Sequence, residues 1–326
     1  MTVSLVTGAR GFVGGWLAKA LLERGDRVVS FDRRRLTEKP SAIGMLGIED
    51  DLIQVEGDLC GGEELERVLS ENGVDRVFHL AAETIVGTVQ ASPVKGFESN
   101  VRGTWTLLQA CLELGIERVV FASSDKAYGA HEELPYREDF PLQPTAPYEA
   151  SKAAADLIAR SYWHSYGLPI AVTRFANIYG GGDLNFSRLI PEAVSAALEG
   201  RAPVLRSDGS PERDFLYVED AAAAYLAIAD ALDRDDVRGE AFNAGGGRSY
   251  PVGEVVALIA KLAGTGVEPD IRGTGNPVGE IDRQYVDPAK IRTRLGWEPE
   301  VGLDEGLQRT LDWYREHPES WAPPPE

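Results

Sequence analysis

A chain of 326 residues exceeds the usual size of a single core, so two lobes or one enlarged α/β domain is expected. Hydrophobic residues at 43% and charged residues at 26% suit a soluble globular enzyme. The net charge of −19 argues against nucleic acid or an anionic membrane as partner, so local Arg and backbone N–H groups must meet any anionic ligand.

The chain opens directly on strand-like VSLV, with no basic n-region or signal h-region and no membrane-length apolar run anywhere, so a cytoplasmic protein is expected. Strands are predicted at Val3–Thr7, Arg27–Phe31, Leu52–Glu56, Arg76–Leu80, Arg118–Ala122 and Ile170–Arg174. Between them helical patterns run over Val13–Arg24, Glu63–Ser70, Pro93–Leu114 and Pro147–Tyr166. This alternation predicts right-handed βαβ units and a doubly wound parallel sheet. Cys60 and Cys111 fall inside regular elements and read as free thiols in a reducing cytosol. The four histidines show no ligand spacing, so no metal site is expected.

After Arg174 the alternation fails. A Gly-rich loop at Tyr179–Asp183 leads to a helix near Ser187–Leu198, then a strand-and-helix unit at Phe215–Leu232. Further helices are expected near Val252–Leu262, Pro288–Leu295 and Leu303–Glu316, and the tail Ala322–Glu326 should fray. The expected division is a nucleotide-binding domain over 1–175 and a smaller α/β substrate lobe over 176–326, with segments near 215–232 returning to the first domain.

Residues 7–14 read TGARGFVG, after the first strand and at the opening of the first helix. Gly8 permits a tight turn, Gly11 lets backbone approach a pyrophosphate, and Gly14 allows close helix–strand packing. That strand–turn–helix context makes a Rossmann site the reading. Asp32 ends the second strand, where a carboxylate accepts from both ribose hydroxyls and disfavours a 2′-phosphate, so NAD is expected over NADP. Arg33, Arg34 and Arg35 pull the other way, since an Arg there can pair with that phosphate. Asp58 follows the third strand and has two readings, an acceptor for the adenine amino group or a helix N-cap before Glu63.

Tyr148 and Lys152 lie in YEASK, and the i, i+4 spacing puts both on one helix face. An ammonium beside a phenol favours the phenolate, which fits a Tyr for use as a base. The fifth strand runs out into Ser123, Ser124, Asp125 and Lys126, at the end of a parallel strand that faces the ligand crevice. Ser124 can there hydrogen-bond the substrate oxygen that Tyr148 deprotonates. A non-enzymatic scaffold has no need to keep these three together.

The glycine fingerprint with Ser, Tyr and Lys resembles the extended short-chain dehydrogenases/reductases, among them NAD-dependent sugar-nucleotide epimerases and dehydratases. The resemblance spans nearly the whole chain: HLAA at 79–82, NVRGT at 100–104, RFANIYG at 174–180, RDFLYVED at 213–220 and LGWEP at 295–299. Within that group SSDKAYG (123–129), GDLNFSRLIP (182–191), RSDGSPERDFLYVED (206–220) and EIDRQYV (280–286) are most similar to CDP-glucose 4,6-dehydratases. The chain departs from their pattern at Glu83, where Gln is expected, and at Phe175-Ala176, where Cys-Gly is expected.

The resemblance implies cofactor contacts from Gly8, Gly11, Phe12, Val13, Gly14, Asp32, Arg33, Asp58, Leu59, Ala81, Ala82, Tyr148 and Lys152. It implies substrate contacts from Glu83, Ser124, Asn177, Asn185, Arg188 and Arg213, the arginines for nucleotide or diphosphate. For catalysis it implies Ser124, Tyr148 and Lys152 at the sugar 4-hydroxyl, Asp125 as the acid at the 6-hydroxyl and Lys126 as the base at C5. A 4-epimerase needs the same machinery without the acid–base pair, and remains the alternative. A homodimer is expected through Pro93–Leu114 and Pro147–Tyr166, with Trp105, Tyr162 and Trp163 at the interface or in the core.

Overall fold

The computed structural model describes residues 1–33, 40–275 and 281–321, so Arg34, Arg35 and the tail Ala322–Glu326 lie outside the described residues. The β-branched runs of the first half become β1 (Val3–Thr7), β2 (Arg27–Asp32), β3 (Ile53–Glu56), β4 (Arg76–His79), β5 (Arg118–Ala122) and β6 (Ile170–Phe175). Among them lie α1 (Phe12–Glu23), the one-turn α2 (Ala42–Met45), α3 (Gly62–Asn72), α4 (Val86–Ala91), α5 (Pro93–Phe97), α6 (Gly103–Glu113) and α7 (Pro147–Tyr166).

The predicted helix Pro93–Leu114 is not one regular α-helix. Residues Glu98–Arg102 form a π-helical turn between α5 and α6. The register change serves two contacts. It buries Asn100 for hydrogen bonds to Glu83 and Ser151, and it brings Gly103 so close to Leu59 that a Cβ would lie 2.9 Å from the leucine Cβ.

The second half contains β7 (Asn177–Tyr179), α8 (Leu189–Glu199), β8 (Val204–Leu205), β9 (Glu212–Arg213), β10 (Phe215–Tyr217), α9 (Val218–Asp230) and β11 (Ala241–Ala244). It closes with β12 (Tyr250–Pro251), α10 (Val252–Ala263), β13 (Asp270–Ile271), β14 (Arg283–Gln284), α11 (Ala289–Leu295) and α12 (Leu303–Glu316). Four-residue β11 is the unforeseen seventh strand of the main sheet, whose order is β11-β6-β5-β4-β1-β2-β3 with every pairing parallel.

Helices cover both faces, which is why β4 and β6 are buried along their whole length. On one face Leu17 and Leu21 of α1 pack with Tyr225 and Ile228 of α9. On the other, Leu65 of α3, Leu107 and Leu108 of α6 and Ala155 of α7 share a core. A third core joins Val194 of α8, Ile259 of α10 and Leu311 of α12. The Phe215–Leu232 unit divides: α9 covers the main sheet, whereas β10 forms a separate two-stranded pair with β7.

Strand order reverses between β1 and β4, so the chain leaves the carboxyl ends of these neighbours in opposite directions and opens a crevice there. Buried Arg174, on β6, braces this end of the sheet. It donates two hydrogen bonds to Asp156 of α7, at 2.8 and 2.9 Å, and a third to the Tyr128 hydroxyl.

Candidate active site and dinucleotide cleft

Gly8 follows β1 with φ +80°, and a Cβ there would sit 2.9 Å from the Ala81 nitrogen. At Gly14 a Cβ would come 2.1 Å from the Gly8 carbonyl oxygen, so glycine is required for α1 to start this close to β1. The wall opposite is fixed from β4. Buried His79 bridges the hydroxyls of Thr7 and Thr104, and Thr7 Oγ1 also accepts from Ala81 N at 3.1 Å. Burial, with the Lys152 charge adding to it, pushes the His79 pKa down to about 3, so the ring is a neutral strut.

The resulting cleft is lined by Gly8, Gly11 and Gly14, by Phe12 and Val13, and at its far end by Asp32 and Arg33. Asp58, Leu59, Ala81 and Ala82 complete its sides. Asp32 Oδ1 accepts from Arg10 N at 3.2 Å, whereas Oδ2 is buried without a hydrogen-bond partner. Burial raises this carboxyl to about 6 against the opposing pull of Arg10. A dinucleotide fits these features: the glycine cradle admits a pyrophosphate, and the orphan oxygen is an acceptor for a ribose hydroxyl. Arg33 is turned towards Glu83, 3.9 Å away.

Asp58 is not the N-cap of α3, which is Gly61. Its Oδ1 instead accepts from Cys60 N at 2.9 Å and closes a local turn at the cleft wall.

Tyr148 and Lys152 are both buried on the first turns of α7. Lys152 Nζ donates to the Ala122 carbonyl oxygen at 2.9 Å, and burial lowers its pKa to about 8. Burial raises Tyr148 to about 12, partly offset by Arg188 and by a hydrogen bond with Ser124. The sequence predicts an ammonium that stabilises the phenolate. In the structure Arg188 is the foremost charge lowering the phenol, and Lys152 is committed to the end of β5. Tyr148 is also held from behind, because its carbonyl accepts from Ser151 Oγ at 2.7 Å and that hydroxyl accepts from Asn100 at 2.9 Å.

Ser124 caps the short turn Asp125–Tyr128, accepting from Lys126 N at 3.2 Å. Asp125 is 2% exposed, and burial raises its pKa despite the lowering influence of Lys126, Ser124 and Arg213. Its Oδ2 and the neighbouring Ser123 Oγ are buried without partners.

The remaining predicted residues divide. Glu83 is fixed through its backbone by Asn100, which accepts from its N–H at 2.6 Å and donates to its carbonyl at 3.0 Å. Asn177 donates to the Asp214 carbonyl at 3.0 Å. Arg213 donates to the carbonyls of Glu212 and Asp282 and acts electrostatically on Asp125. Asn185 spends its Oδ1 on Ser187, accepting from both its N–H and its hydroxyl, which shapes the lead into α8. Arg188 lines the dinucleotide cleft. Trp163 is half-buried and packs against Gly239, where a Cβ would lie 1.9 Å from the indole.

Two site residues carry no expected role from sequence. Asn100 lies in NVRGT, where nothing in the pattern distinguishes a three-way hydrogen-bond hub from a helical polar residue. Gln284 is fully buried with both amide atoms unpartnered, beside Arg213 in register. Its only sequence signal is a polar residue inside the run IDRQYV.

A family model described as NAD dependent epimerase/dehydratase matches residues 4–245. A dTDP-glucose 4,6-dehydratase of Streptomyces antibioticus is 34% identical over 98% of this chain and 94% of its own. A trifunctional UDP-glucose 4,6-dehydratase/UDP-4-keto-6-deoxy-D-glucose 3,5-epimerase/UDP-4-keto-L-rhamnose-reductase of Arabidopsis thaliana is 31% identical over 98% of this chain, which spans 48% of that enzyme's length. The structure of UDP-glucose 4-epimerase from Thermotoga maritima, determined with UDP-glucose, superposes with a TM-score of 0.89 at 28% identity, covering 97% of this chain and 99% of its own.

Proposed function

The chain belongs to the NAD dependent epimerase/dehydratase family, and from that premise we propose that it is a nucleotide-sugar 4,6-dehydratase acting on CDP-glucose or a similar nucleoside diphosphohexose. The observation that carries this reading is Asp125, a buried carboxyl whose free oxygen lies at the carboxyl end of β5 and whose pKa is raised. An elimination needs an acid that still holds its proton near neutral pH. Burial raises the Asp125 pKa against Lys126, which lowers it, and so shifts the carboxyl towards the protonated form such an acid requires.

NAD, when bound, supplies a reversible oxidation at C4 that is returned at C6, so no net oxidant is consumed. Gly8, Gly11, Phe12, Val13 and Gly14 would cradle its pyrophosphate. Asp32 would accept from the ribose, and Asp58, Leu59, Ala81 and Ala82 would flank it. Tyr148, with Ser124 and Lys152, would take the proton from the sugar 4-hydroxyl. Lys126 would take the proton at C5, acidified by the neighbouring 4-keto group, and Asp125 would protonate the departing 6-hydroxyl. Arg213, Asn177, Asn185 and Glu83 would hold the nucleotide sugar, with Arg213 meeting the diphosphate.

The second reading is a 4-epimerase, favoured by the superposition on the Thermotoga maritima enzyme. It uses Tyr148, Ser124 and Lys152 and leaves Asp125 idle. A panel of CDP-, UDP- and dTDP-hexoses incubated with the protein separates the two by product mass. Loss of water supports the dehydratase, and an unchanged mass with altered sugar configuration supports the epimerase.

A homodimer belongs to the same proposal. Trp105 on α6 is 44% exposed, and Leu157 and Tyr166 on α7 are 56% and 63% exposed, an apolar surface suited to a second copy. Among the described residues no helix is long and apolar enough to cross a membrane.

A further inference from the structure

The described residues that line the dinucleotide cleft come from the segment 8–99, with Arg188 as the sole exception. It enters from the N-cap of α8, about ninety residues further along the chain than the rest of the lining. An Arg side chain that is 38% exposed has many rotamers open to it, so its place at the wall needs a cause.

The cause is Asp183. Its carboxylate is 4% exposed, and Oδ2 pairs with Arg188 Nη1 at 2.9 Å. The other oxygen accepts from Asn185 N at 3.1 Å, closing the turn that carries the chain towards Arg188. The Asp183 carbonyl accepts from the Tyr314 hydroxyl of α12. Two residues earlier, the Gly181 carbonyl accepts from Trp16 Nε1 at 2.7 Å, and Trp16 lies on α1 just beyond Gly14. The loop is thus tied at one side to the helix that opens the cleft and at the other to α12.

We propose that Asp183 and Arg188 form a latch, in which Asp183 is a positioning residue that holds the Arg188 guanidinium across the cleft to retain the bound dinucleotide. This rests on the family reading that the cleft takes NAD. The chemistry fits: the ligand is an anionic diphosphate, the chain carries a net charge of −19, and a guanidinium is the side chain that offsets such a charge locally. The proposed reaction consumes no net oxidant, so the cofactor has no need to leave between turnovers. The same guanidinium also draws the Tyr148 phenol down, so the charge that retains the cofactor serves the base.

The test is the rate of NAD release from reloaded protein, followed by protein fluorescence, which requires no sugar turnover. Asp183→Asn keeps the side-chain shape and the acceptor for Asn185 N, and Arg188→Met keeps much of the length. Each should speed release at least about tenfold, the scale of one lost charge-assisted contact. The double variant should release no faster than Arg188→Met alone, because the aspartate acts through the arginine. Raising ionic strength should speed release from the wild type and leave Arg188→Met unaffected.

Unchanged release from folded Arg188→Met overturns the latch, as does a loss of nucleoside diphosphate affinity with NAD release unaltered. Acceleration by Arg188→Met but not Asp183→Asn, or effects that add, overturns the positioning role. Wild-type protein that fails to bind NAD at all contradicts the cofactor reading instead, which keeps the two failures distinct.

Discussion

Ser124 Oγ donates to Asp125 Oδ1 at 3.1 Å, while Asp125 Oδ2 lies buried with no partner at all. Burial of the carboxyl raises its pKa, and the hydrogen bond from Ser124 pulls it the other way without cancelling that rise.

Replacing that acid while keeping its shape isolates its role. Asp125→Asn should fold and bind NAD as the wild type does, and dehydration should fall by at least about a hundredfold. Because oxidation at C4 does not need Asp125, stalled protein should show reduced-cofactor absorbance after substrate is added. Undiminished dehydration would remove Asp125 from the mechanism.

Tyr148 and Lys152 give a second pair of outcomes. Tyr148→Phe retains the ring and should lower turnover by at least about a hundredfold with NAD affinity unchanged. Lys152 is a buried ammonium whose pKa drops from 10.5 to about 8. Between those values the unfolded chain holds a proton that the folded chain has lost, so this group's contribution to stability rises with pH. Below about pH 8 the penalty of the buried charge is fully present. Lys152→Met should therefore stabilise the cofactor-free protein at pH 7 by roughly 1–3 kcal/mol, an advantage that shrinks above pH 8. Denaturant titrations of both proteins across that range measure it.

Asp32 carries the opposite sign. Its folded pKa of about 6 lies above the ordinary 3.8, so the folded state holds the extra proton between them and stability from this group falls as pH rises. Above about pH 6 the cost is complete. Asp32→Asn should raise the melting temperature of cofactor-free protein at pH 7 and weaken NAD binding. Calorimetry with NAD and NADP reads the second effect, and tighter binding of NADP by wild type would refute the ribose role of Asp32.

The Arg174–Asp156 pair predicts a stability defect. Both partners are about fully buried, so Asp156→Asn leaves an uncompensated guanidinium and should cost on the order of 3–5 kcal/mol. Chemical denaturation measures the loss, and a cost under about 1 kcal/mol would show that Tyr128 and the Glu138 carbonyl suffice for Arg174.

Legibility in the sequence followed the strength of the local signal. Long periodic runs with flanking turns gave β1 to β6, and TGARGFVG gave the cleft, because glycine there is demanded by contacts that no side chain tolerates. β11 was illegible: AFNA is four residues long, and its burial is decided by β6 rather than by its own pattern. The π turn at Glu98–Arg102 was hidden because its cause is tertiary, the demand of Glu83 and Ser151 on Asn100. For the same reason YEASK disclosed that Tyr148 and Lys152 share a helix face but not that Lys152 turns to Ala122. The resemblance makes Asn185 a ligand contact and the place of Asp58 leaves it either an adenine acceptor or a helix cap, whereas in the structure both satisfy their own turns.

Catalysis in deuterated water tests the central claim most directly. With CDP-glucose, or whichever nucleoside diphosphohexose the protein turns over best, mass spectrometry should show a product that has lost water and gained one deuterium. Magnetic resonance should place that label at C5 of a 4-keto-6-deoxy sugar, with Lys126→Met suppressing the exchange at C5. A product of unchanged mass, epimerised at C4 and unlabelled at C5, would contradict the dehydratase and leave the NAD cleft and Tyr148 in the service of an epimerase.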